Sequence, residues 1–339
     1  MTSFLVLLAV FIYVKLNNPM RILITGGFGL IGGRLGQHLL QAGHQVILGS
    51  RNASNPPDWL PQAEVVNTDW KVDHALEQIC NGVDVVIHAA GMNAQDCVVD
   101  PVAALEFNGL ATARLLAAAI RADVKRFINL STAHVYADPL VGTITEEACP
   151  RNLHPYATSH LAGENVVLGA SQRGQIEGIV LRLSNAFGAP MHKDVNCWML
   201  LANDLCRQAV QSGKIVLRSS GLQQRDFIAI TQVCRVIEHL SSRDIDALLP
   251  GVFNVGSGVS QSVLELAQLV QRRCKLVWGF EPDLLRGEAG TNERNEQLEY
   301  RPDRLAKMGV NLNFDNNIEI DGLLVFCHAS FNQKWSESV

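Results

Sequence analysis

The stretch Arg21–Gly33, RILITGGFGLIGG, constrains this chain more than any other. Ile22, Leu23 and Ile24 form a short apolar run with β-branched members, which reads as a buried strand. Thr25 and Gly26 end it. Gly26, Gly29 and Gly32 follow at three-residue spacing. An apolar period through Leu35, Leu39 and Leu40 then predicts a helix up to Gly43. Each glycine in such a strand–turn–helix has its own use. The first permits the turn, the second lets backbone approach a pyrophosphate, and the third lets helix and strand pack closely. Unpaired N–H groups at the helix start, those of Leu30 and Ile31 among them, would face the phosphates. A plain structural turn is the bland alternative. The flanking strand and helix are the context that a dinucleotide site requires.

The length of 339 residues fits a large bilobed unit or two domains. With 47% hydrophobic and 18% charged residues, the composition is that of a globular protein with ample core. The net charge is −5, and no basic run exceeds two residues, so nucleic acid is not an expected partner. The 8 cysteines contain no Cys-x-x-Cys pair. In a nucleotide-binding fold they read as reduced core thiols of a cytoplasmic protein, and no metal site is expected.

Residues 1–19 stand apart. Phe4–Val14 is unbroken apolar sequence, followed by Lys15, Asn17, Asn18 and Pro19. As a helix it would cover about 17 Å, well short of the hydrocarbon core of a bilayer at roughly 30 Å. It lacks the positive n-region of a signal peptide. The first strand begins just after Met20, so these residues read as an upstream extension. A weak membrane-surface anchor is the alternative, and membrane contact is otherwise not expected.

Strand and helix signals alternate onward, which predicts an α/β fold: a Rossmann-type, doubly wound parallel sheet. Strands are expected at Gln45–Leu48, Glu64–Val66, Asp84–His88, Arg126–Leu130 and Gly178–Leu183. Helices are expected at Asp73–Cys80, Val102–Arg121 and Tyr156–Arg173. After Asn185 the pattern loosens into a smaller, interleaved lobe. Helices are expected there at Asn196–Ser212, Gln232–Leu240 and Ser262–Arg273, and strands at Ile215–Leu217, Asp226–Ile230 and Phe253–Gly256. Leu284–Arg304 reads as charged loop, and the last 35 residues carry no clear pattern. The domain expectation is residues 20–188 for the dinucleotide, with 226–256 returning to them, and 189–225 with 257–339 for the substrate.

The motifs Thr25–Gly32, His88-Ala89-Ala90-Gly91, Asn108, Ser131–Tyr136, Tyr156, Arg182–Asn185 and Arg225-Asp226-Phe227 occur in a recognisable order. With them the chain resembles the extended short-chain dehydrogenase/reductases: the nucleotide-sugar epimerases, dehydratases and related reductases. The resemblance covers roughly residues 20–325. It implies a bound nicotinamide dinucleotide near Gly26, Gly29, Ala89, Ala90, Gly91 and Asn108, with its nicotinamide end beside Tyr156 and within reach of His160. It implies Thr132 hydrogen-bonded to the reacting sugar hydroxyl, and Tyr156 as acid/base. It places Asp69 and Trp70 beside the adenine, with a helix N-cap as the bland reading of Asp69. It places Asn185 and Arg225 on the diphosphate side of a nucleotide sugar; a pair with Asp226 or a surface salt bridge is the alternative for Arg225. The helices Val102–Arg121 and Tyr156–Arg173 resemble the family's dimer-forming pair, which implies a homodimer, although internal packing would use the same apolar faces.

Hydride transfer at a carbinol carbon needs a proton moved on its oxygen. Tyrosine, near pKa 10, is a poor base at neutral pH unless positive charge lowers that value. In the family a lysine four residues on, one helical turn away, supplies charge. Here the sequence is Tyr156-Ala-Thr-Ser-His160. Three readings are open. His160 is a working substitute, or it marks a fold kept for cofactor sensing without turnover, or it is an inconsequential helix histidine. After Thr132 stand Ala133 and His134, where the family's dehydratases carry acidic residues, so a 4-epimerase or an NADP-linked keto-sugar or carbonyl reductase fits better than elimination. His134 is either a second base near the substrate or an ordinary loop histidine. The second strand ends in Ser50-Arg51 rather than an acidic residue. That suits the 2′-phosphate of NADP, with NAD and a solvated arginine as the alternative.

Overall fold

A computed structural model describes residues 19–52, 55–242, 251–288, 296–312 and 314–331. The expectations for residues 1–18, and part of those for Leu284–Arg304 and the C-terminus, lie outside the described residues.

In chain order the first elements are β1 (Arg21–Thr25), α1 (Leu30–Gln41), β2 (Gln45–Ser50), β3 (Glu64–Asn67), α2 (Asp73–Cys80) and β4 (Val85–His88). Next come α3 (Ala94–Val99), α4 (Pro101–Ala104), a π-helical turn (Leu105–Leu110), α5 (Ala111–Arg121) and β5 (Arg126–Thr132). A 3-10 turn (Ala133–Val135), β6 (Gly142–Ile144), α6 (Pro155–Gln172), β7 (Glu177–Leu183), β8 (Asn185–Phe187), α7 (Leu201–Ser212) and β9 (Lys214–Leu217) follow. The remainder is β10 (Gln224–Ala229), α8 (Ile230–Ser242), β11 (Val252–Val255), β12 (Ser260–Ser262), α9 (Val263–Trp278), β13 (Asp283–Arg286), β14 (Leu298–Tyr300), α10 (Asp303–Lys307) and α11 (Asn316–Phe331). The main sheet has seven strands in the order β11-β7-β5-β4-β1-β2-β3, the doubly wound order.

The chain divides into two compact units. The first comprises residues up to Leu130, Ala162–Val180 and Ile237–Gly251. There β1 lies between β2 and β4, parallel to both, and the strand order reverses at this point. Ile22, Leu23, Ile24, Leu35 and Leu39 are fully buried, which is why β1 reads as unbroken apolar sequence and α1 as an apolar stripe. The segment expected as one helix over Val102–Arg121 is interrupted. It passes through the π-turn Leu105–Leu110 before α5, and the short α3 precedes it. By length and composition Pro101–Arg121 could cross a membrane, yet half of its apolar window is buried inside the fold.

The second unit comprises Ser131–Leu161, Leu181–Val236 and Val252 onward. Its main core gathers α7, α9 and α11 around Leu205, Ala209, Leu266, Val270, Ile320, Leu323 and Leu324. Ser262 caps α9: its hydroxyl accepts from the Glu265 N–H at 3.1 Å, and Glu265 reaches back to the Ser262 N–H at 2.6 Å. Part of the stretch expected as loop is ordered. β13 pairs parallel with β9, β14 pairs with β6, and α10 follows. The C-terminal region without a clear pattern contains α11. None of the 8 cysteines is in a disulfide, and seven are buried. Burial holds the thiols of Cys80, Cys274 and Cys327 at a pKa of about 12, far from reactive thiolate.

Candidate active site

In the first unit the carboxyl ends of β1 and β4 are in register, Thr25 beside His88. Gly26 has a φ of +69°, and a Cβ there would lie 2.8 Å from the Ala90 nitrogen. A Cβ on Gly32 would lie 2.3 Å from the Gly26 carbonyl oxygen, so only glycine permits this approach of helix and turn. The Gly29 N–H is bonded to that same carbonyl at 2.9 Å. Gly29 is the N-cap of α1, no side chain caps the helix, and its first turn holds no acidic residue. The N–H groups of Leu30, Ile31 and Gly32 therefore have no intrahelical acceptor, and the positive end of the helix dipole has no carboxylate of its own helix against it. This donor set fits a pyrophosphate.

Buried bonds fix the surroundings. The Thr25 hydroxyl and His88 Nδ1 are 2.7 Å apart, and His88 Nε2 is 3.0 Å from the Thr112 hydroxyl. Thr112 donates its own proton to the Asn108 carbonyl at 2.7 Å, so it accepts from His88 Nε2–H, and Nδ1 accepts from Thr25. Asn108 lies in the π-turn, a distortion often found at functional positions. Its Oδ1 accepts from the Met92 N–H at 2.8 Å, which anchors the chain just after Ala89, Ala90 and Gly91.

Ser50 ends β2 and Arg51 follows it. The exposed Arg51 guanidinium lies 5.4 Å from the centroid of the Phe107 ring. Phe107 packs edge-on against Trp70, and Trp70 against His88. An aromatic wall thus joins the expected positions 51, 70 and 88 through Phe107, a residue that the sequence reading missed. Asp69 does not cap α2. Its carboxylate accepts from the Lys71 N–H at 3.0 Å, and the N-cap is Val72.

The second unit holds the other expected residues. Buried Thr132 ends β5, and its hydroxyl oxygen accepts from the His134 N–H at 3.1 Å. Tyr156 lies in the first turn of α6, where its N–H donates to His154 Nδ1 at 3.2 Å. One turn on, the His160 ring lies edge-on to Tyr156 with centroids 4.6 Å apart. Desolvation of the His160 imidazole pushes its pKa from 6.5 to about 4. It is neutral at pH 7 and brings no positive charge to the phenol.

His134, Asn185 and Arg225 come together. They line one cavity of about 590 Å³, with Asp138, Gln223, Gln224 and Glu296 as further polar groups and Leu140, Val141 and Leu298 among the apolar ones. Asn185 donates to the Asp226 carbonyl at 2.8 Å. The expected alternative of an Arg225–Asp226 pair fails for a simple reason: neighbours on a strand face opposite ways. The buried Asp226 carboxylate instead takes the Ser184 hydroxyl at 2.6 Å and the Ser257 N–H and hydroxyl, both at 2.9 Å. Arg225 is largely desolvated, which lowers its pKa, and the carboxylate acting on it is Asp138. Asp138, Gln223, Gln224 and Glu296 escaped the sequence reading, because loop and strand-end polar residues carry no motif.

Residues 22–256 match the family described as "NAD dependent epimerase/dehydratase family". The chain belongs to that family. It is 28% identical over 286 residues to a putative UDP-glucose 4-epimerase of Methanocaldococcus jannaschii, with 83% of this chain and 88% of that one covered. It is 31% identical over 262 residues to the dTDP-6-deoxy-L-talose 4-dehydrogenase (NAD(P)(+)) of Kitasatospora kifunensis, covering 74% and 78%. The solved UDP-glucuronic acid 4-epimerase of Bacillus cereus, in complex with UDP-glucuronic acid and NAD, superposes with a TM-score of 0.74 at 20% identity, over 91% of this chain and 99% of that one. That last likeness shows the fold. Membership makes this chain one of a family of NAD-dependent enzymes, as the Gly26–Gly32 turn implies.

Proposed function

We propose that the chain is a nucleotide-sugar 4-epimerase, with Tyr156 as acid/base and Thr132 orienting the reacting hydroxyl. The observation that carries this reading is the convergence of His134, Asn185 and Arg225 on one polar cavity in a chain of this family. A nicotinamide dinucleotide, when bound, supplies the hydride acceptor and donor. The residues of the chain do the rest. Leu30, Ile31 and Gly32 present N–H donors to a pyrophosphate. The Arg225 guanidinium offers forked donors to a sugar diphosphate. The Thr132 hydroxyl accepts one backbone N–H and keeps its own proton to donate. Tyr156 takes the proton of the reacting hydroxyl and returns it.

Two further readings each have an observation behind them. The Kitasatospora relative is a 4-dehydrogenase, which favours a keto-sugar reductase. The neutral His160 favours a cofactor-binding sensor without turnover. Mixing the protein with cofactor and a nucleotide-sugar panel separates them. An epimerase interconverts sugars with no net change at the reduced-nicotinamide absorbance band. A reductase consumes that absorbance, and a sensor converts nothing.

NADP is our preferred cofactor, supported by Ser50 and the exposed Arg51, which no described carboxylate holds in an ion pair. A homodimer through α3–α5 and α6 is supported by the exposed apolar residues Val98, Val99, Val102, Leu105 and Leu110. A cytoplasmic location is supported by eight cysteines without a disulfide.

A further inference from the structure

The cavity of the second unit carries unequal charge. Among the described residues two carboxylates line it, Asp138 and Glu296, against one guanidinium, Arg225. His134 also lines it, and desolvation lowers its pKa, so it is no standing cation at pH 7. The other polar groups are the amides of Asn185, Gln223 and Gln224. Asp138 acts on both Arg225 and His134, so Arg225, the one cation among the described lining residues, already has an anion within reach.

A nucleotide sugar brings a diphosphate, which Arg225 is suited to meet. No second lysine or arginine among the described residues lines the cavity to meet another anion. A carboxylate on the sugar would add negative charge beside Asp138 and Glu296, in surroundings where water screens poorly. Sugar hydroxyls are donors, and carboxylate and amide oxygens accept from them. We propose that this cavity selects nucleotide sugars with an uncharged hexose and rejects those with a hexuronate, Asp138 and Glu296 being the groups that discriminate. The proposal rests on the nucleotide-sugar reading above, and it separates this chain from a fold neighbour that takes UDP-glucuronic acid.

Calorimetric titration of the intact chain tests it, using UDP and dTDP first. If neither binds, the nucleotide-sugar reading itself falls, and the proposal with it. In the series that binds, the glucose and glucuronic acid conjugates are compared; they differ only by a carboxylate in place of a hydroxymethyl group. We expect the glucose conjugate to bind at least ten-fold more tightly. Equal or tighter binding of the glucuronic acid conjugate overturns the proposal and leaves the nucleotide-sugar reading intact. Glu296→Gln, alone and with Asp138→Asn, is expected to narrow the gap to about three-fold through gained uronate affinity. Folding of each variant is checked by circular dichroism. An unchanged gap in a folded variant removes the role assigned to these carboxylates, and the wild-type ratio stands as a test whether or not the double variant folds.

Discussion

The turn at Gly26–Gly32 and the turn at Tyr156–His160 both open helices, but they are built on different principles. The first offers backbone N–H groups. Its requirements are negative: no Cβ at Gly26 or Gly32, no capping side chain, no carboxylate in the first turn. Almost any residue larger than hydrogen breaks it. The second is built on side chains whose value depends on charge. There a histidine that desolvation keeps neutral stands four residues after the tyrosine, where the resemblance implies a lysine. A backbone site survives only if its pattern survives. A side-chain site can keep its place in the fold and still change its chemistry.

Four experiments break or sharpen this contrast, the largest effect first. Tyr156→Phe removes the proton carrier proposed above and leaves the glycine turn alone. Turnover with the preferred nucleotide sugar should fall about 10³-fold, roughly 4 kcal/mol of barrier, while dinucleotide affinity changes less than about three-fold. Steady-state rates and fluorescence titration measure the two.

The neutral His160 has a stability signature. Its folded pKa of about 4 lies below the ordinary 6.5, so the unfolded chain takes up a proton that the folded chain refuses. The contribution is fully present above pH 6.5 and is lost as pH falls from 6.5 towards 4. Urea denaturation should show wild type losing up to about 3 kcal/mol more than His160→Gln across that window. His44 and His134, whose pKa values are also lowered by desolvation, are present in both chains and cancel.

Gly32→Ala probes the other turn. Its Cβ would meet the Gly26 carbonyl at 2.3 Å, so the helix or the turn must shift. A stability loss of about 2 kcal/mol is expected together with loss of dinucleotide binding, read by thermal denaturation and titration. Arg51→Ser carries the smallest effect. Affinity for NADP should drop about ten-fold, roughly 1.4 kcal/mol, with NAD affinity unchanged. Equal losses for both cofactors would remove Arg51 from the 2′-phosphate site.

The glycine turn was legible in the sequence because the residues that make it are contiguous and their spacing is the mechanism. The same holds for Ser262 at the start of α9 and for the strand ends that carry Thr25, His88 and Thr132. Other features are not local in this sense. The π-turn at Leu105–Leu110 sits inside a run whose apolar content reads as plain helix. β13 is short, carries Asp283 and Arg286, and becomes a strand through its pairing with β9. α11 has no clear apolar stripe, and packing against α7 and α9 fixes it. At the candidate site, motif positions located Arg225 and Asn185. Asp138 and Glu296 meet them only in three dimensions, and the charge state of His160 depends on desolvation that no spacing reveals.

The most direct test is the pH dependence of turnover in wild type and His160→Lys, from pH 6 to pH 10. With a neutral His160 beside Tyr156, wild-type kcat/KM should still be climbing at pH 8. The lysine variant should reach its plateau about one pH unit lower and be about ten-fold faster at pH 7. A wild-type plateau already reached at pH 7, or a lysine variant with an unchanged profile, would contradict a Tyr156 left without a neighbouring positive charge by a neutral His160.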